Sequence, residues 1–88
     1  MKLLDIVSFV KRGKNRRKVI EAMDKKPIMP SELVVRIFGK PSNTHFNLIS
    51  RALGELKKEG LVKVLNEKEK TGRFYELTAE GKRIKKYL

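Results

Sequence analysis

Asn43-Thr44-His45-Phe46-Asn47-Leu48-Ile49-Ser50-Arg51-Ala52-Leu53-Gly54-Glu55-Leu56-Lys57-Lys58-Glu59-Gly60 is the stretch on which the reading of this chain turns. Phe46, Ile49, Ala52, Leu53 and Leu56 recur at helical spacing and form one apolar stripe. At about 100° per residue, Thr44, Asn47, Arg51 and Lys58 point the opposite way. Asn43 stands where an N-cap belongs, and Gly60 where a C′ residue belongs. The spacing predicts one amphipathic helix with an apolar back and an amide-and-guanidinium front. Such a helix can lie in the major groove of a duplex, so its neighbours decide between that use and a blander one.

Upstream, Gly39-Lys40-Pro41-Ser42 is a break, since Gly stops a helix and Pro cannot continue one. Before it, Pro30 suits a first helical position and Glu32 favours the same start through the helix dipole. Ser31–Phe38 then carries Leu33, Val34, Ile37 and Phe38 as an apolar face. Two helices joined by a Gly-containing turn, the second polar outside, are the parts of a helix-turn-helix. Asp24–Met29 reads as a turn. Asn15–Met23 reads as a helix with Val19, Ile20 and Met23 inward and Arg16, Arg17 and Lys18 crowded at its N-terminus, where the dipole disfavours cations. Those cations suit phosphate, or form an ordinary solvated face. Met1–Val10 is apolar on most sides, and the region up to Gly13 is predicted to be a short helix. Alone it is marginal in water, so it packs on a second chain or closes its own core.

Downstream, Leu61–Leu65 and Arg73–Leu77 have strand character. The charged loop Asn66–Gly72 joins them into a β-hairpin. Thr78 is an N-cap candidate for a last helix, Ala79–Leu88, whose Lys82, Arg83, Lys85 and Lys86 lie on other faces or near the favourable C-terminus. The order is helix, helix, turn, helix, strand, loop, strand, helix, without internal repeat or long linker.

Charge narrows the function. The 88 residues carry 22 Lys and Arg against 10 Asp and Glu, a net +12. That excess suits a polyanion, most simply nucleic acid. A thermophile-like Lys- and Glu-rich surface explains high charge density but not a two-to-one bias. Cysteine is absent and histidine single, which removes disulfides, thiol chemistry and thiolate metal sites and disfavours a metal cluster. No cofactor is implied, and an enzyme is the least favoured class. No apolar run approaches the roughly 18 residues of a membrane span, and no signal peptide is visible, so the expected location is cytoplasmic.

The blocks Ser50-Arg51-Ala52-Leu53-Gly54-Glu55-Leu56-Lys57-Lys58-Glu59-Gly60-Leu61-Val62 and Gly72-Arg73-Phe74-Tyr75-Glu76-Leu77-Thr78-Ala79-Glu80-Gly81, in this element order, resemble prokaryotic winged helix-turn-helix transcription regulators of the small archaeal, MarR- or ArsR-like kind. The resemblance covers about residues 14–88. It implies a single domain, mainly α with a small β-hairpin, with flanking N- and C-terminal helices that often form a homodimer. It implies that the third helix enters the major groove and the wing touches backbone or minor groove. Phe38–His45 reads as a longer turn than that pattern has, and Met29 stands where a capping Ser or Thr is usual.

The expected function is sequence-specific binding of double-stranded DNA by a homodimeric regulator. From the third helix the candidate contacts are Asn43, Thr44, Asn47, Ser50 and Arg51. Asn pairs bidentately with adenine and Arg with guanine. The bland alternative for Arg51 is an i,i+4 ion pair with Glu55, and for Asn43 and Thr44 it is capping. From the hairpin the candidates are Lys68, Lys70 and Arg73, unless Glu67 and Glu69 neutralise them. Arg16, Arg17 and Lys40 are candidate backbone contacts. His45 reads as a core-edge residue, Tyr75 as core, and Gly54 as a point of close backbone approach. Two rivals use the same fold: a non-specific architectural DNA binder, and a protein-interaction module that would expose an apolar patch.

Overall fold

The longest helix, α4 (Asn43–Lys58), is the centre of the structure. A computed structural model describes residues 3–88. In chain order the other elements are α1 (Leu3–Arg12), α2 (Lys14–Ala22), α3 (Pro30–Phe38), β1 (Val62–Val64), β2 (Tyr75–Leu77) and α5 (Ala79–Lys85). The fold is mainly helical with a small antiparallel sheet. Met1 and Lys2, part of the expected N-terminal helix, lie outside the described residues. No helix among the described residues is long and apolar enough to cross a membrane.

α4 packs on α2, α3 and β1. Ile49, Ala52, Leu53 and Leu56 are buried, and fully burying each large aliphatic side chain contributes about 1.5–3 kcal/mol. The N-cap is Ser42, not Asn43: the Ser42 hydroxyl accepts from the His45 backbone N–H at 3.3 Å. Asn43 is thus the first helical residue, and its side chain is left for other use. The other end closes as read. Gly60 has φ +76 and donates to Lys57 O at 3.0 Å, while Leu61 donates to Leu56 O at 2.9 Å. This is a Schellman stop, with buried Leu61 and Leu56 as its apolar contact.

Placing α4 at Asn43 also corrects the turn before it. Phe38 belongs to α3 and Asn43–His45 belong to α4, so the break is only Gly39–Ser42. α3 begins at Pro30, and the Glu32 carboxylate accepts from the Met29 N–H at 3.4 Å. That bond is the return half of a capping box, and Met29 makes no side-chain hydrogen bond to the first-turn N–H groups.

The hairpin register is Val62↔Leu77, Lys63↔Glu76 and Val64↔Tyr75. Its strands are shorter than read, because Arg73, Phe74 and Leu65 belong to the tip. The segment read as a plain turn holds a further pairing. Ile28 and Tyr75 exchange backbone hydrogen bonds at 2.9 Å in both directions. Buried Ile28 thereby ties the α2–α3 connection to β2.

α5 is shorter than expected and ends at Lys85. Its start is bolted to the end of α4. The Thr78 hydroxyl donates to Gly60 O at 2.6 Å and accepts from Gly81 N at 3.1 Å. A Cβ on buried Gly81 would lie 2.0 Å from the Leu61 carbonyl oxygen. Close backbone approach therefore occurs at Gly81 and not at Gly54, where a Cβ would meet open space.

α1 packs on α2 and α5, burying Val7 and Val10 in the common core. Of the two readings of this helix, closure of its own core is realised. Leu4 nevertheless stays 76% exposed.

Candidate nucleic-acid interface

The first half of α4 presents a polar strip. Asn43, Thr44, Asn47 and Arg51 are exposed. Arg51 forms no ion pair among the described residues, because its expected partner is taken: Glu55 faces Arg16, at 3.5 Å. The bland reading of Arg51 is thus not realised. Ser50 is half-buried on the side of the strip that faces the hairpin.

Phe46 is the main departure from the expected apolar stripe. It is 40% exposed, beside Ser50, where α4 and the hairpin border a groove. Helical geometry explains this. Phe46 lies about 60° from Ile49 around the axis and about 20° from Leu53, but three positions nearer the helix start. There the groove is also lined by Met29, Pro30 and Ser31, and the ring stays partly open. Leu48, also partly exposed, flanks the strip on its other side beside α2.

The hairpin tip is held rigid from within. Asn66 donates to Gly72 O at 3.1 Å and accepts from Phe74 N at 2.8 Å. Arg73 donates to Glu69 O at 2.6 Å and to Glu67 O at 3.3 Å. Lys57 on α4 pairs with Glu67 at 2.6 Å. The Lys57 hydrogen bond, then its charge, hold the Glu67 carboxyl below its ordinary range. Arg73 therefore shapes the loop, a role its position beside charged Glu67 and Glu69 did not reveal. Asn66 went unassigned, although Asn at a loop entrance commonly makes such bonds. Lys68 and Lys70 are exposed and join no ion pair among the described residues.

The supporting cations divide. Lys40 is exposed in the α3–α4 turn. Arg16 is occupied: its guanidinium lies 4.0 Å from the Phe9 ring centroid and against Glu55, and its side chain is only 18% exposed. Arg17 pairs with Glu21 at 3.7 Å, an exposed pair of little strength. Lys18 sits over the Phe38 ring, at 5.2 Å. The crowded N-terminus of α2 is thus offset by contacts within the chain. His45 stacks on Phe38 with centroids 3.8 Å apart and planes 7° from parallel, a core-edge position. Tyr75 is half-buried against the core.

A second basic surface lies at the base of the hairpin, away from its tip. Lys25, Lys82, Lys85 and Lys86 border a cleft with Leu77 and Asp24. Lys85 there donates to Met23 O. The Lys26 backbone N–H and the Arg36 charge hold the Asp24 carboxyl below its ordinary range. From sequence Lys25 falls in a turn, and Lys82, Lys85 and Lys86 lie on other faces of the last helix or near its C-terminus, with no contact assigned to them.

Comparison with known protein families, with curated proteins and with solved structures yields no match to this chain.

Proposed function

We propose that the chain is a winged helix-turn-helix protein that binds double-stranded DNA selectively and regulates transcription. The first half of α4 enters the major groove, and the hairpin acts as a wing on the neighbouring backbone. One observation carries this reading. Asn43, Thr44, Asn47 and Arg51 are exposed together, with Arg51 free of its expected ion pair, beside a stiff tip bearing unpaired Lys68 and Lys70. A surface built for solvent alone has no need of a preorganised loop beside an unpaired guanidinium.

Three further features support it. The α3–α4 turn, Gly39–Ser42, has the length of a helix-turn-helix turn. The Ile28–Tyr75 bridge fixes the hairpin relative to α3 and α4. The net charge of +12 suits a polyanion.

In this reading Asn47 and Arg51 read base edges, and Lys40, Lys68 and Lys70 meet phosphate. Asn43, Thr44 and Ser50 border the same surface. Arg73 holds the wing in shape. Two chains pair through α1 and the end of the chain, where Leu4 and Tyr87 are 76% and 51% exposed. A sedimentation mass of one chain at binding concentrations would remove pairing from the account. The lysines at the hairpin base favour a second reading, a non-specific architectural binder that engages DNA on two surfaces.

Selection from random duplex DNA at moderate salt separates the two. A regulator enriches one motif, and an architectural binder enriches none. On the enriched motif, Arg51→Ala should weaken binding about tenfold and flatten preference at one position. Lys70→Ala should weaken all duplexes alike and lower the salt slope by about one. If Arg51→Ala changed neither affinity nor preference, the reading face would be misplaced.

A further inference from the structure

Phe46 stands unexplained by the polar readout. A half-exposed phenylalanine on a helix whose neighbours are amides and a guanidinium forgoes burial that a fully covered ring would gain. It is also not on the free outer surface. It borders a groove of about 340 Å³ between α4 and the hairpin, together with Ser50, Tyr75, Lys70 and Arg73. The α4 wall carries Phe46 and Ser50, and the hairpin wall carries Lys70, Arg73 and Tyr75. The ligand chemistry that fits is an apolar group carried on an anionic strand.

The base edges in the major groove present one apolar group, the 5-methyl of thymine. We infer that Phe46 is a specificity-determining residue that packs on a thymine 5-methyl, while Lys70 holds the phosphate of the same strand. This inference rests on the duplex-binding reading above. It adds preference for thymine at a position where hydrogen bonds from Asn47 and Arg51 do not reach. Met29 and Pro30 line the same groove.

The test uses two alternating duplexes of about 24 base pairs, one A·T and one with deoxyuridine in place of every thymidine, a length that exceeds the 10–10.5 base pairs of a helical turn. Alternation offers a thymine in any register. Affinities are measured at low salt for the unaltered protein and for Phe46→Ala, whose folding is checked by thermal denaturation. The unaltered protein should bind the uridine duplex about fourfold more weakly, the effect of burying one methyl group. Phe46→Ala should bind both duplexes equally. Equal binding of both duplexes by the unaltered protein would overturn the inference while leaving duplex binding intact. So would an undiminished thymine preference in Phe46→Ala, which would assign the preference to duplex shape. Failure to bind either duplex would overturn the duplex-binding reading itself, and the inference with it.

Discussion

Gly81→Ala is expected to destabilise the fold by about 3 kcal/mol, the upper range for forced overpacking. The added Cβ would sit 2.0 Å from the Leu61 carbonyl oxygen. That oxygen already accepts from Thr78 N at 3.1 Å, so it is held from the α5 side. Leu61 is itself fixed by the Schellman bond to Leu56. Neither partner is the free end of a side chain, so relief requires moving α5 away from the α4–β1 turn. In a domain of this size, a loss of that order lowers the melting temperature by roughly 12–24 °C, which circular dichroism reads directly. Gly54→Ala is the matched control. It meets open space on α4 and should stabilise by about 0.5–1 kcal/mol. Equal melting temperatures for the two variants would contradict the packing described for α5.

Duplex affinity is expected to fall roughly 40-fold per chain between 50 and 200 mM salt. Counterion release gives a slope of about −0.9 for each phosphate neutralised. Three exposed cations without ion pairs are assigned to phosphate, Lys40, Lys68 and Lys70, while Arg51 is assigned to a base edge. Three phosphates over a fourfold change in salt give roughly that factor. Arg16 does not enter the sum, because Glu55 and the Phe9 ring hold it, and Arg17, whose exposed pair is weak, would raise the slope by about one if it joined. A paired molecule engaging two half-sites would double the slope. A slope near zero would show that the charge serves another purpose, and a slope far above eight would bring in the lysines at the hairpin base.

The periodic segments were legible in the sequence because burial is periodic. The α4 stripe from Ile49 to Leu56, the Gly60 stop and the Thr78 cap follow from spacing and residue type, and the structure holds them. What escaped depended on which neighbour lies where. Phe46 has the spacing of a core residue, but only contacts distant in sequence decide how far its ring is covered. Ser42 and Asn43 are both good caps, and the choice between them rests on one backbone dihedral. Ile28 lies in a short turn with no strand pattern around it, and its pairing with Tyr75 spans 47 positions. Gly54 and Gly81 look equally anomalous inside helices, yet only one has a carbonyl against it. The candidate site shows the same division. Exposure of Asn47 and Arg51 followed from the helical wheel. The loss of Arg16 to Glu55 and Phe9, and of Arg73 to the loop backbone, did not, because every arginine looks free in a sequence.

The surface proposed to meet DNA is the first half of α4 together with the hairpin tip. Backbone amide shifts followed during titration with a duplex of about 16 base pairs, longer than the 10–10.5 base pairs of one helical turn, test it most directly. The largest changes are expected at Asn43–Arg51 and Lys68–Lys70, with Lys40 beside them. Changes confined to Lys25 and Lys82–Lys86, or no change at low salt, would contradict it.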